Sequence, residues 1–389
     1  ENVVRKTNKN VLIITPLAVS YQTKLEADKF QIDVRRSKNH VHKGITITNY
    51  EQLKNFNPND FIGVVADESS ILKNFDGKTR KNITKFFKTI QYRLLCSATP
   101  APNDYTELGT TAEALGVIKY NQMLSMFFSH KGKTTSQWVL KGHAQKRFWQ
   151  WVSNWALAIR HPHDLGFSDG SFTLPKLHIK QHRIKTNRKH QGFFLSDVIG
   201  LKAHRKETRE TIQARAEKVA ELATHTKGPF LIWCHLNDEA SAIQKLIPDS
   251  INVQGNDKSK EKEEKLIGFS KGHFQVLITK PRIGGFGMNW QHCSTMSYFP
   301  SYSYEQFYQC VRRCYRFQQK QQVTCHIVQS ERENKIANIM MEKERQANKM
   351  YQNIIHEIKE YQQTSKPNHS NIIMDTSDME IPSWINIKI

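Results

Sequence analysis

Two adjacent carboxylates, Asp67 and Glu68, end the apolar run Phe61-Ile-Gly-Val-Val-Ala66. A strand of that kind in a parallel sheet delivers its last residues to the edge where ligands sit. Paired carboxylates there can divide the work of hydrolysis. One carboxylate can hold Mg2+, usually through water, while its neighbour orients and deprotonates a water attacking a γ-phosphate. An acidic turn that merely closes a strand uses the same residues. The second half of the chain offers a counterpart in Tyr304-Glu-Gln-Phe-Tyr-Gln-Cys-Val-Arg-Arg-Cys-Tyr-Arg316. Gln309, Arg313 and Arg316 follow at spacings of four and three, which on a helix puts them along one face. Guanidinium groups so placed can clasp phosphate oxygens and stabilise transition-state charge, an effect of ~10³–10⁵ in rate. An exposed basic helix without chemistry is the alternative.

Two further segments carry suitable groups. Thr279-Lys-Pro-Arg-Ile-Gly-Gly-Phe-Gly-Met-Asn289 follows an apolar run. Its Gly284, Gly285 and Gly287 permit a tight turn and close backbone approach, and Thr279, Lys280 and Arg282 can bind phosphate; a purely structural glycine turn is the other reading. Ser97-Ala-Thr-Pro100 ends another apolar run, and its hydroxyls can bond a neighbouring carboxylate and relay its state. The tripeptide Gly132-Lys133-Thr134 has the form of a phosphate-loop ending. Such a loop needs Gly five residues before its second Gly, where this chain has Phe127. It also needs a strand before it and a helix after it, so that backbone N–H groups converge on phosphate. The tripeptide is read as a decoy on a basic surface loop.

The elements that must position these residues come from periodicity. Apolar runs at 11–14, 45–48, 61–66 and 92–96 alternate with helical patterns at 78–88 and 104–115. A second block has runs at 230–234, 276–279, 296–299 and 323–328, with helices near 206–223 and 238–246. Continuous apolar strands alternating with helices predict an α/β fold with two lobes, each built on a parallel sheet covered on both faces. The expected division is a first lobe over 1–160, an inter-lobe connector over 161–205, a second lobe over 206–330, and a charged terminal helix with a polar tail over 331–389.

The 389 residues fit two or three domains, and 38% hydrophobic content suffices for ordinary cores. Lys plus Arg exceed Asp plus Glu by 57 − 36 = 21. That excess favours a polyanionic partner, nucleic acid first; a solvated lysine-rich surface is the bland alternative. No apolar run approaches the roughly 18 residues of a membrane span, and no signal pattern opens the chain, so the expected compartment is cytoplasmic, without a membrane partner. Cys96, Cys234, Cys293, Cys310, Cys314 and Cys325 form no CxxC pair, which predicts free thiols in a reducing compartment. The spacing of the last four matches no familiar zinc site.

The order of these signals is more specific than any one of them. Thr15-Pro16, Thr48-Asn-Tyr50, Asp67-Glu68, Ser97-Ala-Thr-Pro100, TxxxxGGxG over 279–287 and QxxxRxxR over 309–316 closely resemble the superfamily-two helicases and translocases. The resemblance is to the DEAD/DEAH-like branch that includes chromatin-remodeller motors. Asp67-Glu-Ser-Ser-Ile-Leu-Lys-Asn74 resembles that branch's metal box with its trailing Lys-Asn. Segments 98–109, 138–177 and 277–293 are similar to bacteriophage-encoded DNA helicases, and the resemblance spans residues 11–330. It implies two RecA-like lobes of the P-loop NTPase type, binding ATP and Mg2+. In that scheme Asp67 coordinates the metal, Glu68 activates water, and Arg313 and Arg316 are arginine fingers. Gln309, Gly285 and Gly287 contact the cofactor, and Ser97 and Thr99 couple hydrolysis to grip on the strand. Thr15, Thr48, Thr279, Lys280 and Arg282 lie toward DNA, single- or double-stranded, touching its backbone rather than its bases. A phage origin places the protein in the bacterial host cytoplasm.

Two positions depart from the pattern. Ser70 stands where relatives often have His, and Gln318 where related Arg-Phe-Gly-Gln sequences have Gly, so a different turn is expected after Arg316. In the helicase order a phosphate loop precedes the acidic pair, whereas Gly132-Lys-Thr134 follows it by about 65 residues. Residues 1–10 are too few to hold the loop and its helix. The expectation is a chain truncated in its first lobe, binding ATP weakly and hydrolysing it very slowly by itself. A nucleic-acid-binding module without turnover is the rival reading; Asp67, Glu68, Arg313 and Arg316 weigh against it, since binding alone needs none of them. A nuclease using Asp67 and Glu68 lacks a second carboxylate cluster.

Overall fold

Apolar residues at every position of a short run must be covered on both faces, and the first half of the chain meets that demand with a sheet. The computed structural model describes residues 1–74, 76–130, 138–185, 207–285 and 287–364. Strands β1 (Val11–Thr15), β2 (Val34–Arg36), β3 (Ile45–Asn49), β4 (Gly63–Ala66) and β5 (Tyr92–Leu95) form a five-stranded sheet in the order β2-β3-β1-β4-β5. Every pair is parallel, so each connection must cross over. The helix Leu17–Lys29, the 3-10 segments Tyr50–Asn55 and Pro58–Asp60, and the helix Lys78–Phe87 lie in those connections. β3 lies on one side of β1 and β4 on the other. The carboxyl ends of β1 and β4 therefore flank a topological switch point, where open α/β sheets hold ligands.

Side-chain alternation sorts the core. Leu12, Ile14, Val64 and Ala66 pack on one face with Tyr50, Phe56, Phe61, Ile83 and Phe87. Ile13, Ile45 and Ile47 pack on the other with Val4, Ala27 and Val34. On that second face the cover thins toward the β5 edge: Val65 is half-buried, Tyr92 is 43% exposed and Leu94 55%. Beyond the sheet, the helices Glu107–Leu115, Tyr120–Phe127 and Gln145–Ser153 and the antiparallel pair β6 (Phe128–His130) and β7 (Trp138–Leu140) build an aromatic cluster around Phe127, Phe148 and Trp149. Gly132-Lys133-Thr134 lies outside the described residues.

The second half builds a six-stranded parallel sheet from β8 (Leu177–Ile184), β9 (Phe230–Trp233), β10 (Ile251–Asn252), β11 (Val276–Thr279), β12 (Thr295–Tyr298) and β13 (Val323–Ser330), in the order β10-β11-β9-β12-β13-β8. Phe230, Leu231, Ile232 and Trp233 of β9 are each 0% exposed; burying one such side chain contributes about 1.5–3 kcal/mol. The helices Ile212–Thr224 and Asn237–Leu246 cover this strand through Ala216, Val219, Ala240 and Ile243. Arg215 and Glu239, each 1% exposed, form an ion pair at 3.1 Å. The other Glu239 oxygen accepts the N–H groups of His235 and Leu236, at 2.8 Å each, closing the loop after β9.

The observed class is thus α/β with two parallel sheets, consistent with two RecA-like lobes. Contacts group Glu1–Gly166 with the described residues from Ala347 onward as unit 1, and Phe167–Gln346 as unit 2. The stretch 161–205, read from sequence as a connector, contains β8, an edge strand of the second sheet. The helix Asn334–Thr364 belongs to unit 2 up to Gln346 and to unit 1 from Ala347. All six cysteines are free. No helix among the described residues is long and apolar enough to cross a membrane.

Candidate nucleotide site

The chain turns sharply after β4. The Asp67 N–H donates to the Ile14 carbonyl of β1 at 2.9 Å, extending the ladder by one residue. Glu68 then takes the left-handed conformation, with φ 53° and ψ 47°. That backbone costs a non-glycine residue roughly 1–2 kcal/mol, and retained strain of this kind collects at functional sites. Asp67 Oδ1 accepts the Glu68 N–H at 3.0 Å, and the Tyr50 hydroxyl donates to the Asp67 carbonyl at 2.6 Å. The Ser69 N–H donates to the Cys96 carbonyl at 2.8 Å, tying the turn to the end of β5. Burial, then the charges of Asp67 and Glu68, push the Tyr50 phenol and the Cys96 thiol up, so both remain protonated neighbours of the acidic pair. The Asp67 and Glu68 carboxylates are an oxygen-only donor set, which fits Mg2+: that ion takes one or two carboxylates and completes its shell with water and substrate phosphates.

Ser97 and Thr99 follow directly. The Thr99 N–H donates to Ser97 Oγ at 3.0 Å, and Thr99 is buried. Asp67, Glu68, Ser97, Thr99, Thr15 and Thr48 therefore all lie at or beyond the carboxyl ends of strands of the first sheet. Their exposure differs from the expectation for a nucleic-acid surface. Thr15, Thr48 and Thr279 are 0%, 3% and 0% exposed. Thr15 and Thr279 close the interior strands β1 and β11, Thr48 is the last residue but one of interior strand β3, and each hydroxyl faces protein rather than solvent; Thr15 Oγ1 donates to the Pro16 carbonyl at 3.0 Å. Lys280 is half-buried with its ammonium on Asn237 Oδ1, and Arg282 is exposed. Of the five residues expected at DNA, these last two offer charge.

In unit 2 the helix Tyr304–Val311 ends before either arginine, so the single helical face predicted for Gln309, Arg313 and Arg316 is not formed. The backbone tightens into three-residue turns, with the Arg313 N–H on the Cys310 carbonyl and the Cys314 N–H on the Val311 carbonyl, both at 3.2 Å. The Arg313 carbonyl is taken instead by the Trp290 N–H at 2.9 Å. The side chains still converge. Arg313 donates from Nη2 to Gln309 Oε1 and from Nε to the Gln309 carbonyl, both at 3.0 Å. Nη1 of Arg313 and Nη1 of Arg316 both donate to the Met288 carbonyl, at 3.3 and 3.4 Å. Two guanidinium groups meeting at one oxygen form an arrangement suited to a phosphate oxygen.

The glycine loop puts Met288 there. A Cβ on Gly284 would lie 2.9 Å from the Trp290 ring, one on Gly285 would overlap the Pro281 carbonyl oxygen, and Gly287 has φ +74°. Gly285 is buried, and in the folded unit it serves close packing beneath the loop. Sequence reasoning missed Met288, because a backbone carbonyl leaves no trace in residue type. It also assigned no role to Tyr50, although the Thr-Asn-Tyr segment was visible.

The turn after Arg316 corrects another expectation. Gln318 has φ +72°, the glycine-type conformation, although the residue is not glycine. Gln319 holds it there: its Nε2 donates to the Gln291 carbonyl at 2.8 Å and the Cys314 carbonyl at 3.1 Å. Gln318→Gly is therefore expected to stabilise unit 2 by about 0.5 kcal/mol, as relief of left-handed strain outweighs the added freedom of the unfolded chain. Urea midpoints of the two proteins check this, and Gln318→Val should shift the midpoint the other way.

No protein-family model matches this chain, and no curated protein matches it. Among solved structures, the C-terminal part of the Fun30 ATPase domain is similar, with 13% identity and a TM-score of 0.30 over 38% of this chain. The match spans 54% of that chain, about half its length.

Proposed function

We propose that the chain is the core of an ATP-dependent DNA translocase or helicase. The observation that carries this reading is the acidic pair at the switch point of the first sheet, with Glu68 held in a strained backbone beside Asp67. Glu68 orients the attacking water and accepts its proton. Asp67 would hold Mg2+, which supplies charge neutralisation on the phosphates. Arg313 and Arg316, already gathered on one oxygen, serve the transferring phosphoryl group, with Gln309 fixing Arg313 in place. Ser97 and Thr99, one and three residues beyond the Cys96 carbonyl that anchors the acidic turn, relay the state of the nucleotide. Lys280 and Arg282 contact the DNA backbone.

The uncovered face at β5 supports a role for a further segment. β5 is an edge strand, and Tyr92 and Leu94 are exposed on the face whose partners nearer the centre of the sheet are half-buried. A parallel strand added at β5, with a helix crossing that face, would cover both residues. Its carboxyl end would then lie beside Ser97, the position a phosphate loop requires. With such a strand–loop–helix supplied against β5, the chain is expected to show ATP hydrolysis that DNA stimulates. DNA binding should weaken with salt, with a slope of about 0.9 per duplex phosphate contact. Salt-sensitive DNA binding without nucleotide hydrolysis would favour the rival binding module.

A further inference from the structure

We propose that Tyr351 is a positioning residue that sets the geometry of Ser97–Thr99; the inference rests on the coupling role given to that segment above. The Tyr351 hydroxyl donates to the Ala98 carbonyl, across 253 positions of sequence. Ala98 is the residue between Ser97 and Thr99. Because the peptide unit is planar, holding the Ala98 carbonyl fixes the direction of the Thr99 N–H on the same unit. That N–H is the group that donates to Ser97 Oγ at 3.0 Å. One phenol therefore orients the backbone of the segment and, through it, the Ser97 hydroxyl.

The phenol is itself held from several sides within unit 1. Met350 and Ile354, its neighbours on the helix Asn334–Thr364, are 1% and 3% exposed in the aromatic cluster with Phe148. The Arg160 guanidinium lies over the Tyr351 ring, 5.4 Å from its centroid, and its Nη2 donates to Asn348 Oδ1 at 2.9 Å. Further along the helix, Lys359 pairs with Asp164 at 3.6 Å. By contrast, Ser97–Thr99 lies in irregular backbone between β5 and the helix Glu107–Leu115. A segment without its own ladder takes its geometry from such outside ties, and the Tyr351 bond reaches its central carbonyl.

Backbone hydrogen exchange of the 389-residue chain, read over the peptide 96–101, tests this without nucleotide. Tyr351→Phe removes only the hydroxyl. It is expected to speed exchange at Thr99 roughly three- to ten-fold, the value of one net hydrogen bond, while the cluster residues 145–153 exchange as before. Ile355→Ala trims the same helix where it packs on the cluster and keeps the phenol; it is expected to leave Thr99 unchanged. Unchanged exchange at Thr99 in Tyr351→Phe, or equal acceleration in Ile355→Ala, would overturn the proposal. Neither outcome depends on ATP turnover, so failure here is distinguishable from failure of the motor reading, which the Glu68 variants test.

Discussion

Replacing Glu68 by glutamine is expected to slow ATP turnover by about 10²–10⁴-fold in the chain supplied with a strand–loop–helix against β5, at saturating ATP and DNA, with nucleotide affinity unchanged. The amide keeps the volume and a hydrogen-bonding oxygen but cannot accept the proton of the attacking water. It also leaves the left-handed backbone at position 68 as strained as before, so stability should not move. Glu68→Gly separates the two effects. It removes the same carboxylate, and so should lose the same turnover, but relieves strain of roughly 1–2 kcal/mol, offset in part by glycine's larger unfolded-state freedom. A variant that is more stable and equally inactive assigns strain to the backbone and chemistry to the carboxylate. Steady-state hydrolysis and a denaturation midpoint on the same preparations provide both readouts, and normal turnover by either variant would refute the role given to Glu68.

Arg316→Ala is expected to cost ~10³–10⁵ in turnover, the range for losing an arginine finger, with little change in stability. Arg316 is half-buried and its contact with the Met288 carbonyl is long, at 3.4 Å. Arg313 is a poorer probe of catalysis. It is 8% exposed and bonded twice to Gln309, so its removal also breaks two buried hydrogen bonds, at about 0.5–1.5 kcal/mol each. Arg316→Lys retains charge but loses the planar fork, and its turnover should fall between those of alanine and arginine. A lysine variant as fast as the parent would mean that charge alone is required.

Much of the fold could be read from the sequence because its central strands are continuously apolar. Runs predicted at 11–14, 230–234 and 276–279 are observed as Val11–Thr15, Phe230–Trp233 and Val276–Thr279. The edges were harder. β8 reads Leu-His-Ile-Lys-Gln-His-Arg-Ile, with no apolar run, because an edge strand covered mainly through its neighbour β13 can keep exposed basic residues. The helix Leu17–Lys29 was invisible for a related reason: Leu17, Tyr21 and Leu25 are exposed although apolar, so its pattern marks no polar face. In the candidate site, residue types marked the acidic pair and the arginines as candidates, whereas backbone geometry was hidden. The end of the helix before Arg313, the carbonyl of Met288 and the left-handed Gln318 depend on turns that side-chain spacing does not encode. Burial of Thr15, Thr48 and Thr279 is likewise a property of the finished sheets, since a threonine at a strand end has the same appearance in sequence whether buried or exposed.

The central claim is that Glu68 and Arg316 serve one transferring phosphoryl group. Single-turnover hydrolysis by Glu68→Gln, Arg316→Ala and the double variant, all in the chain supplied with the strand–loop–helix against β5, tests it most directly. Residues acting as a unit are strongly non-additive, so the double variant is predicted to be no slower than the slower single variant. A double variant whose loss equals the product of the two single losses would place the two residues in separate functions and contradict the account.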